Sequence, residues 1–341
     1  MIPAFDPVSI AAVKELIANA HIITVTTHHK PDGDALGASL ALANFLKATG
    51  KNVKVVSPSE FPDFLAWMKG SREVIDFIRS PKIATDQLNA SDLIFCLDFN
   101  DPRRTEKMQS SLLKSPAKKI LIDHHLHPVE FCDFTFSFPE ACATAEILCY
   151  FIKALDGEKI IDADIAECLY AGIMTDSGSF RFSSVTPDTH IVAAALIAAG
   201  AQHYKVHELI FDSFSFMRLK FLGFCLKDKL TVVKGYDVAY VAVSKDEMDS
   251  YHHKTGDLEG VVNYALSIKG IKVAALFSEG DGVIKISFRS KDEFSVKEIA
   301  EKFFEGGGHR NAAGGKSPLA LNDTVSKFLE VITYYQEQLS V

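Results

Sequence analysis

A chain of 341 residues exceeds the size at which a single hydrophobic core stops growing, so two domains are expected, and a 48% apolar content can fill both. The formal net charge of -8 excludes a protein that holds long nucleic acid on an extended basic surface, but not one that takes a small phosphate ligand with a few placed cations. No apolar run reaches about 18 residues, and the amino-terminal stretch lacks the basic start and apolar core of a signal peptide. A soluble, cytoplasmic protein with no membrane partner is therefore expected.

The cysteines are Cys96, Cys132, Cys142, Cys149, Cys168 and Cys225. None forms a CxxC pair, which argues against a zinc knuckle or a disulfide framework and for reduced, mostly buried thiols.

In chain order, a first helix is predicted over residues 7–20, opened by Asp6. Residues 21–27 are β-branched and apolar, as in a buried strand. Residues 35–48 then put Leu36, Leu40, Ala43 and Leu46 at helical spacing before Gly50. Between strand and helix stand His28, Asp32 and Asp34, in a loop bent by Pro31 and Gly33. Open α/β sheets keep their ligand crevices at such strand ends. An imidazole beside two acids suits a divalent metal, because adjacent carboxylates repel unless a cation neutralises them. An Asp-rich turn that merely caps the next helix is the plainer alternative.

Residues 52–56 read as a second strand. Residues 92–97, DLIFCL, form another and end on Asp98; residues 118–122, KKILI, form the next and end on Asp123, His124 and His125. Strands separated by helical patterns usually make a parallel sheet whose C-terminal ends share one edge. That edge would gather His28, Asp32, Asp34, Asp98, Asp123, His124 and His125. One strand could end in an unrelated polar residue; three doing so by chance is a poor explanation.

Residues 143–150 are helical, with Cys142 and Cys149 spaced as core positions. A helix over 162–174 runs into TDSGSFRF, where Asp176 is either the cap of a later helix or a further metal carboxylate. Another helix follows Pro187. Residues 203–227 keep a helical period rich in phenylalanine (Phe211, Phe214, Phe216, Phe221, Phe224), read as a connector whose aromatic stripe packs rather than stacks on bases. A hairpin over 230–243 with Gly235 at its turn, a helix over 258–269, strands over 271–277 and 283–288, and a helix over 295–304 follow. The last of these enters the glycine run 306–315, and a final helix closes the chain. The domain reading is 1–202, a connector at 203–228, and 229–341.

HHKPDGD (28–34), the isolated Asp98, Asp123-His124-His125 and GIMTDSG (172–178) together resemble the four motifs of the DHH phosphoesterases. The tail, with DLEGVVNYALSIKG (257–270), ISFRS (286–290) and GGGHRNAAGG (306–315), resembles the domain that accompanies them. The resemblance implies an α/β protein: an N-terminal parallel-sheet DHH domain that carries the metals, and a smaller C-terminal α/β domain that binds substrate. It implies two manganese ions, one held by His28, Asp32 and Asp98, the other by Asp34, Asp98, His124 and Asp176, with Asp98 bridging. Imidazole ligands favour manganese or a later transition metal over magnesium, which prefers oxygen. Asp123 would orient an imidazole, and His125 would face the substrate phosphate as an acid for the leaving oxygen; a structural histidine is the alternative for His125.

Further expectations follow for substrate. Gly306, Gly307 and Gly308 would let the backbone approach a ligand, with Arg289, Ser290, His309 and Arg310 holding phosphate or base from across an interdomain cleft. The branch resembled acts on very short single-stranded RNA, releasing 5'-mononucleotides, and on 3'-phosphoadenosine 5'-phosphate. Hydrolysis of a cyclic dinucleotide or its linear product is the runner-up; pyrophosphatase and polyphosphatase activities fit the tail less well. A nucleotide-binding regulator without catalysis is the non-enzymatic alternative, opposed by the presence of all six ligands. A homodimer is left open. Two residues depart from the pattern: Lys30, where relatives often carry Asn, and Glu305, where another Gly is usual.

Overall fold

The structure is a computed structural model that describes residues 5–280 and 282–340. The chain divides into two compact units, Met1–Ser213 and Phe214–Val341.

In the first unit the elements are α1 (Pro7–Asn19), β1 (Ile22–Thr26), α2 (Gly33–Ala48), β2 (Asn52–Ser57), β3 (Ile75–Asp76), α3 (Pro81–Ala90), β4 (Leu93–Leu97), α4 (Gln109–Lys114), β5 (Lys118–Asp123), β6 (Phe134–Ser137), α5 (Thr144–Ala154), α6 (Ala163–Asp176), α7 (Pro187–Ala198) and α8 (His203–Phe211). Asp6 opens α1 as expected, its carboxylate accepting from the amides of Val8 and Ser9 that the first helical turn leaves unpaired. The six strands pair in parallel in the order β3-β2-β1-β4-β5-β6. Helices cover such a sheet on both faces, so its central strands are buried: every residue of β4, LIFCL, is apolar and buried, and in β1, IITVT, the threonines Thr24 and Thr26 are buried with their apolar neighbours. The strand order reverses between β1 and β4. Loops leaving these two strands diverge there, and the crevice they open is where such sheets bind ligands.

Glycines set the contact between α2 and α6. A Cβ on Gly33 would lie 2.3 Å from Oγ1 of Thr175, one on Gly37 would lie 2.5 Å from the Cys168 carbonyl oxygen, and one on Gly172 would lie 2.8 Å from Oδ1 of Asp34. The two helices therefore touch backbone to backbone and run antiparallel. This brings the start of α2, with Asp34, beside the end of α6, with Asp176.

The second unit contains α9 (Phe216–Phe224), β7 (Leu230–Val232), β8 (Val238–Val243), α10 (Lys245–Ser250), α11 (Val261–Leu266), β9 (Val273–Glu279), β10 (Ile284–Ser290), α12 (Val296–Phe303), β11 (Gly307–Gly308), β12 (Ala312–Ser317), α13 (Leu321–Thr333) and α14 (Gln336–Leu339). Its sheet runs β11-β12-β10-β9-β8-β7, with β8 and β9 parallel and the other pairs antiparallel. The fold is the α/β arrangement expected, with a parallel sheet first and a mixed sheet second.

Two local expectations differ from what is found. The helical period over 203–227 is not one helix: α8 ends at Phe211 and α9 begins at Phe216. The hydroxyl of Ser213 bonds back to the Leu209 carbonyl, and that of Ser215 accepts from the Arg218 amide at 3.0 Å, so the two serines close one helix and open the next. The glycine run is likewise not a free loop but the hairpin β11–β12. Gly306 is required there because a Cβ would lie 2.0 Å from the Gly314 carbonyl oxygen, so the close approach is to the chain's own strand. Around Gly307 the nearest atom to such a Cβ is 3.9 Å away, and no steric demand exists.

Both departures from the family pattern fall on left-handed backbone, with φ of 55° at Lys30 and 45° at Glu305. Asn and Gly tolerate that region better than Lys or Glu.

Candidate metal centre

Each of the strand-end residues is delivered by an element already described. His28 follows β1, Asp32 caps α2 by accepting from the amides of Asp34 and Ala35, Asp98 follows β4, Asp123 ends β5, and Asp176 ends α6. His28, Asp34, Asp98, Asp123 and His124 are all buried.

The carboxylate of Asp98 faces two ways. Oδ2 lies 3.4 Å from Nε2 of His28, whereas Oδ1 lies 3.5 Å from Nε2 of His124. Nε2 of His28 also lies 3.9 Å from Oδ2 of Asp32. On the other side, Nε2 of His124 is 3.4 Å from Oδ2 of Asp176 and 4.0 Å from Oδ2 of Asp34. Two donor sets result, His28–Asp32–Asp98 and Asp34–His124–Asp176, each with its ligand atoms within 4.8 Å of one another. Asp98 stands between them and adopts φ 63°, a conformation rare for a residue with a side chain and typical of a functional site.

Backbone carbonyls aim the imidazoles. Nδ1 of His28 bonds to the His29 carbonyl at 3.0 Å, and Nδ1 of His124 to the Ala141 carbonyl at 3.2 Å, so in each ring Nε2 is turned toward the carboxylates. His125 differs. Its Nδ1 meets Oδ1 of Asp123 at 2.7 Å, and its Nε2 meets Nη1 of Arg104 at 2.8 Å. A guanidinium only donates, so Nε2 accepts, and the proton of a neutral ring sits on Nδ1 and is donated to Asp123.

The electrostatics are those of a site built for positive charge. Burial and the carboxylates of Asp98, Asp176 and Asp32 push the Asp34 carboxyl well above the ordinary range, against the amide of Ala145. At Asp98 burial also opposes ionisation, but His28, His125 and His124 hold its carboxyl well below that range. Burial alone would lower the two imidazoles. Asp98 and Asp32 instead raise His28, and Asp176 and Asp98 raise His124. Protons thus sit where a divalent ion would, and an ion would displace them. The donor set, nitrogen and carboxylate oxygen in two adjoining groups, fits transition-metal ions.

Three contributors were not foreseen. The amides of Thr144 and Ala145, at the start of α5, donate to Asp34 at 2.6 and 2.9 Å, a helix N-terminus applied to a carboxylate. The Thr144 hydroxyl donates to Oδ1 of Asp98 at 2.9 Å. Arg104, six positions beyond Asp98, bonds its Nη1 also to the Asp98 carbonyl at 3.3 Å. A cationic pair, Arg103-Arg104, shortly after a strand-end aspartate was the available signal; nothing in the sequence pointed to Thr144.

In the second unit, Arg289 lies on β10 and donates to the Phe288 carbonyl at 2.9 Å, and Arg310 pairs with Glu293. Ser290 is buried, donating to the Phe294 carbonyl at 2.6 Å and accepting from Asn311 at 2.9 Å, which ties β10 to the β12 hairpin. The backbone of His309, between β11 and β12, exchanges bonds with Ala312 and closes the hairpin.

Groups of His and Asp that could hold metal ions at the strand ends of a parallel sheet, followed by a mixed-sheet domain, define a class. Residues 22–173 match the DHH family, N-terminal domain, and residues 235–338 match the DHHA1 domain; the chain belongs to the DHH family. Among similar proteins is the bifunctional oligoribonuclease and PAP phosphatase NrnA of Thermus thermophilus, 30% identical over 91% of this chain and 89% of the relative. The protein of the same name from Bacillus subtilis is 25% identical over 86% of this chain and 88% of its own. The cyclic-di-AMP phosphodiesterase GdpP of Geobacillus thermodenitrificans is 25% identical over 96% of this chain but only 49% of its own length. Among solved structures, an exopolyphosphatase-related protein from Bacteroides fragilis superposes with a TM-score of 0.92, at 35% identity and 97% coverage of both chains. RecJ of Thermus thermophilus in complex with Mn2+ shares the fold alone, with a TM-score of 0.57, 14% identity, and coverage of 97% of this chain and 54% of that one. Among the described residues no helix is long and apolar enough to cross a membrane.

Proposed function

We propose that this chain is a metal-dependent phosphoesterase that releases 5'-mononucleotides from very short oligoribonucleotides and dephosphorylates 3'-phosphoadenosine 5'-phosphate to AMP. The observation that carries the reading is the position of Asp98 between the two donor sets, one oxygen toward His28 and the other toward His124. Supporting it, the Thermus and Bacillus relatives, matched over most of their length, are named for these two activities.

His28, Asp32 and Asp98 would hold one divalent ion and Asp34, Asp98, His124 and Asp176 a second, with manganese the first choice. Such a pair, when bound, lowers the pKa of water and stabilises the entering and leaving oxygens of an in-line displacement at phosphorus. The protein residues do the rest. Arg104 presents a guanidinium beside Asp98 and His125, where an entering phosphate can take over its hydrogen bonds. Nε2 of His125 is then free to accept a proton and pass it to the leaving oxygen, while Asp123 holds the ring and stabilises the imidazolium. In the second unit Arg289, His309 and Arg310 would take a further phosphate or base, with Gly306, Gly307, Gly308 and Ser290 shaping the segment that carries them.

A substrate panel with manganese tests this: dinucleotide, long RNA, 3'-phosphoadenosine 5'-phosphate, cyclic dinucleotide, pyrophosphate and polyphosphate. The first and third are expected to turn over best, and manganese to exceed magnesium at equal free concentration. The Bacteroides structure is described as exopolyphosphatase-related, so preference for polyphosphate is the outcome that would replace the reading. Arg289→Ala and His309→Ala should raise KM for the dinucleotide and leave metal content unchanged; loss of metal in either would remove them from substrate binding.

A further inference from the structure

Three successive residues beyond α6, Gly178, Ser179 and Phe180, are left-handed, with φ of 58°, 61° and 61°. One left-handed residue is enough to end a helix, and two more with side chains are strained. The turn is nevertheless tightly held. The amides of Gly178 and Ser179 donate to the Thr175 and Met174 carbonyls at 3.1 and 2.8 Å, and those of Arg181 and Phe182 donate to the Ser177 carbonyl at 3.0 and 3.1 Å. The buried Ser177 hydroxyl accepts from the Phe180 amide at 2.9 Å. The backbone of residues 181 and 182 is thereby folded back to within one hydrogen bond of Ser177, the neighbour of Asp176.

The strain sorts the side chains. Phe180 turns inward, stacked on His190 with centroids 5.4 Å apart and 5.9 Å from Tyr170. Phe182 remains 42% exposed, its ring lying over Gly178, where a Cβ would be 2.4 Å from it. Arg181 is exposed as well; its Nε donates to the Gly178 carbonyl at 2.6 Å, which fixes the root of the guanidinium and leaves both Nη atoms without a partner among the described residues. An open aromatic face and an open guanidinium, on a preorganised turn next to Asp176, suit the two parts of a nucleotide: base faces stack on aromatic rings, and guanidinium groups bind phosphate oxygens.

We propose that Phe182 and Arg181 form a nucleotide subsite of the metal centre, Phe182 stacking on the base of the nucleotide being released and Arg181 binding its second phosphate where one is present. This rests on the function proposed above and makes that site indifferent to base identity, because every base has a stacking face.

Equilibrium titration of the manganese-loaded protein tests it. Phe182→Ala should weaken 5'-AMP about fivefold or more and leave ribose 5-phosphate unchanged, and Phe182→Trp should restore AMP binding. Arg181→Ala should weaken 3'-phosphoadenosine 5'-phosphate and spare AMP. With a dinucleotide substrate, the Phe182→Ala defect should lie in KM rather than kcat. AMP binding that ignores Phe182, or equal losses for AMP and ribose 5-phosphate, overturns the subsite even if dinucleotides are cleaved. Phe182-dependent AMP binding in a protein that cleaves no dinucleotide sustains the subsite and overturns the proposed function instead.

Discussion

The guanidinium of Arg104 donates to Nε2 of His125 over 2.8 Å, and this bond leaves the proton of the neutral ring on Nδ1, where it is donated to Asp123. Burial first, and Arg104 second, hold the His125 imidazole below its ordinary pKa, so the ring is neutral at physiological pH. Replacing Arg104 by Ala removes a charge-assisted contact worth about 1.5 to 3 kcal/mol, and kcat/KM for a dinucleotide should fall roughly ten- to a hundredfold. Metal content should be unchanged, as checked by elemental analysis. Arg104→Lys should recover only part of the loss, since a point charge lacks the planar fork.

Asp98 has no substitute among its neighbours. Asp98→Ala deletes the only carboxylate among the described residues that faces both His28 and His124, and it is expected to abolish turnover and reduce bound manganese below one ion per chain. Full metal occupancy with near wild-type turnover in this variant would remove the bridging role.

The raised imidazoles give a pH signature. A group whose folded pKa lies above its ordinary value stabilises the fold fully below that value and loses this contribution as pH rises through the folded pKa. For His28 and His124 the ordinary value is 6.5, so metal-free protein should lose thermal stability as pH rises from that point. Asp34, also raised, acts in the same direction at lower pH. Manganese requires the unprotonated groups, so its affinity should strengthen over the same interval and its binding should release protons. Titration calorimetry in two buffers of different ionisation enthalpy measures the protons, and melting curves with and without metal measure the stability.

Lys30 and Glu305, neither of them a proposed ligand, offer stabilising changes. At φ 45° Glu305→Gly relieves left-handed strain of about 1 to 2 kcal/mol, offset in part by the greater freedom of glycine in the unfolded chain. A net gain near 0.5 to 1 kcal/mol is expected from chemical denaturation, and a smaller gain for Lys30→Asn, whose φ is 55°. A loss of stability in both would show that their side chains make compensating contacts.

Much of the fold and much of the candidate site could be read from order along the chain. Apolar runs that end in His28, Asp98 and Asp123-His124-His125 are informative because a parallel strand buried on both faces must be apolar, which makes its polar exit conspicuous. What pairing distant segments decides was invisible. The N-terminus of α5 on Asp34 depends on the packing of α5 against the start of α2 across more than a hundred residues, and α5 itself gives no local hint of it. The Gly33, Gly37 and Gly172 contacts that bring Asp34 and Asp176 together need two helix faces matched in space. Periodicity overran the break at Ser213 because both helices share one apolar spacing, and hydroxyl caps end a helix without disturbing it. The glycines at 306–315 were legible as a close approach, but whether to a ligand or to a neighbouring strand is a question of tertiary pairing, which for Gly306 the β12 carbonyl at Gly314 answers. Sequence by itself determined the donor types and the strand ends that carry them, because those obey local chemistry; only the tertiary structure decided which oxygen faces which imidazole, because that depends on how separate elements pack.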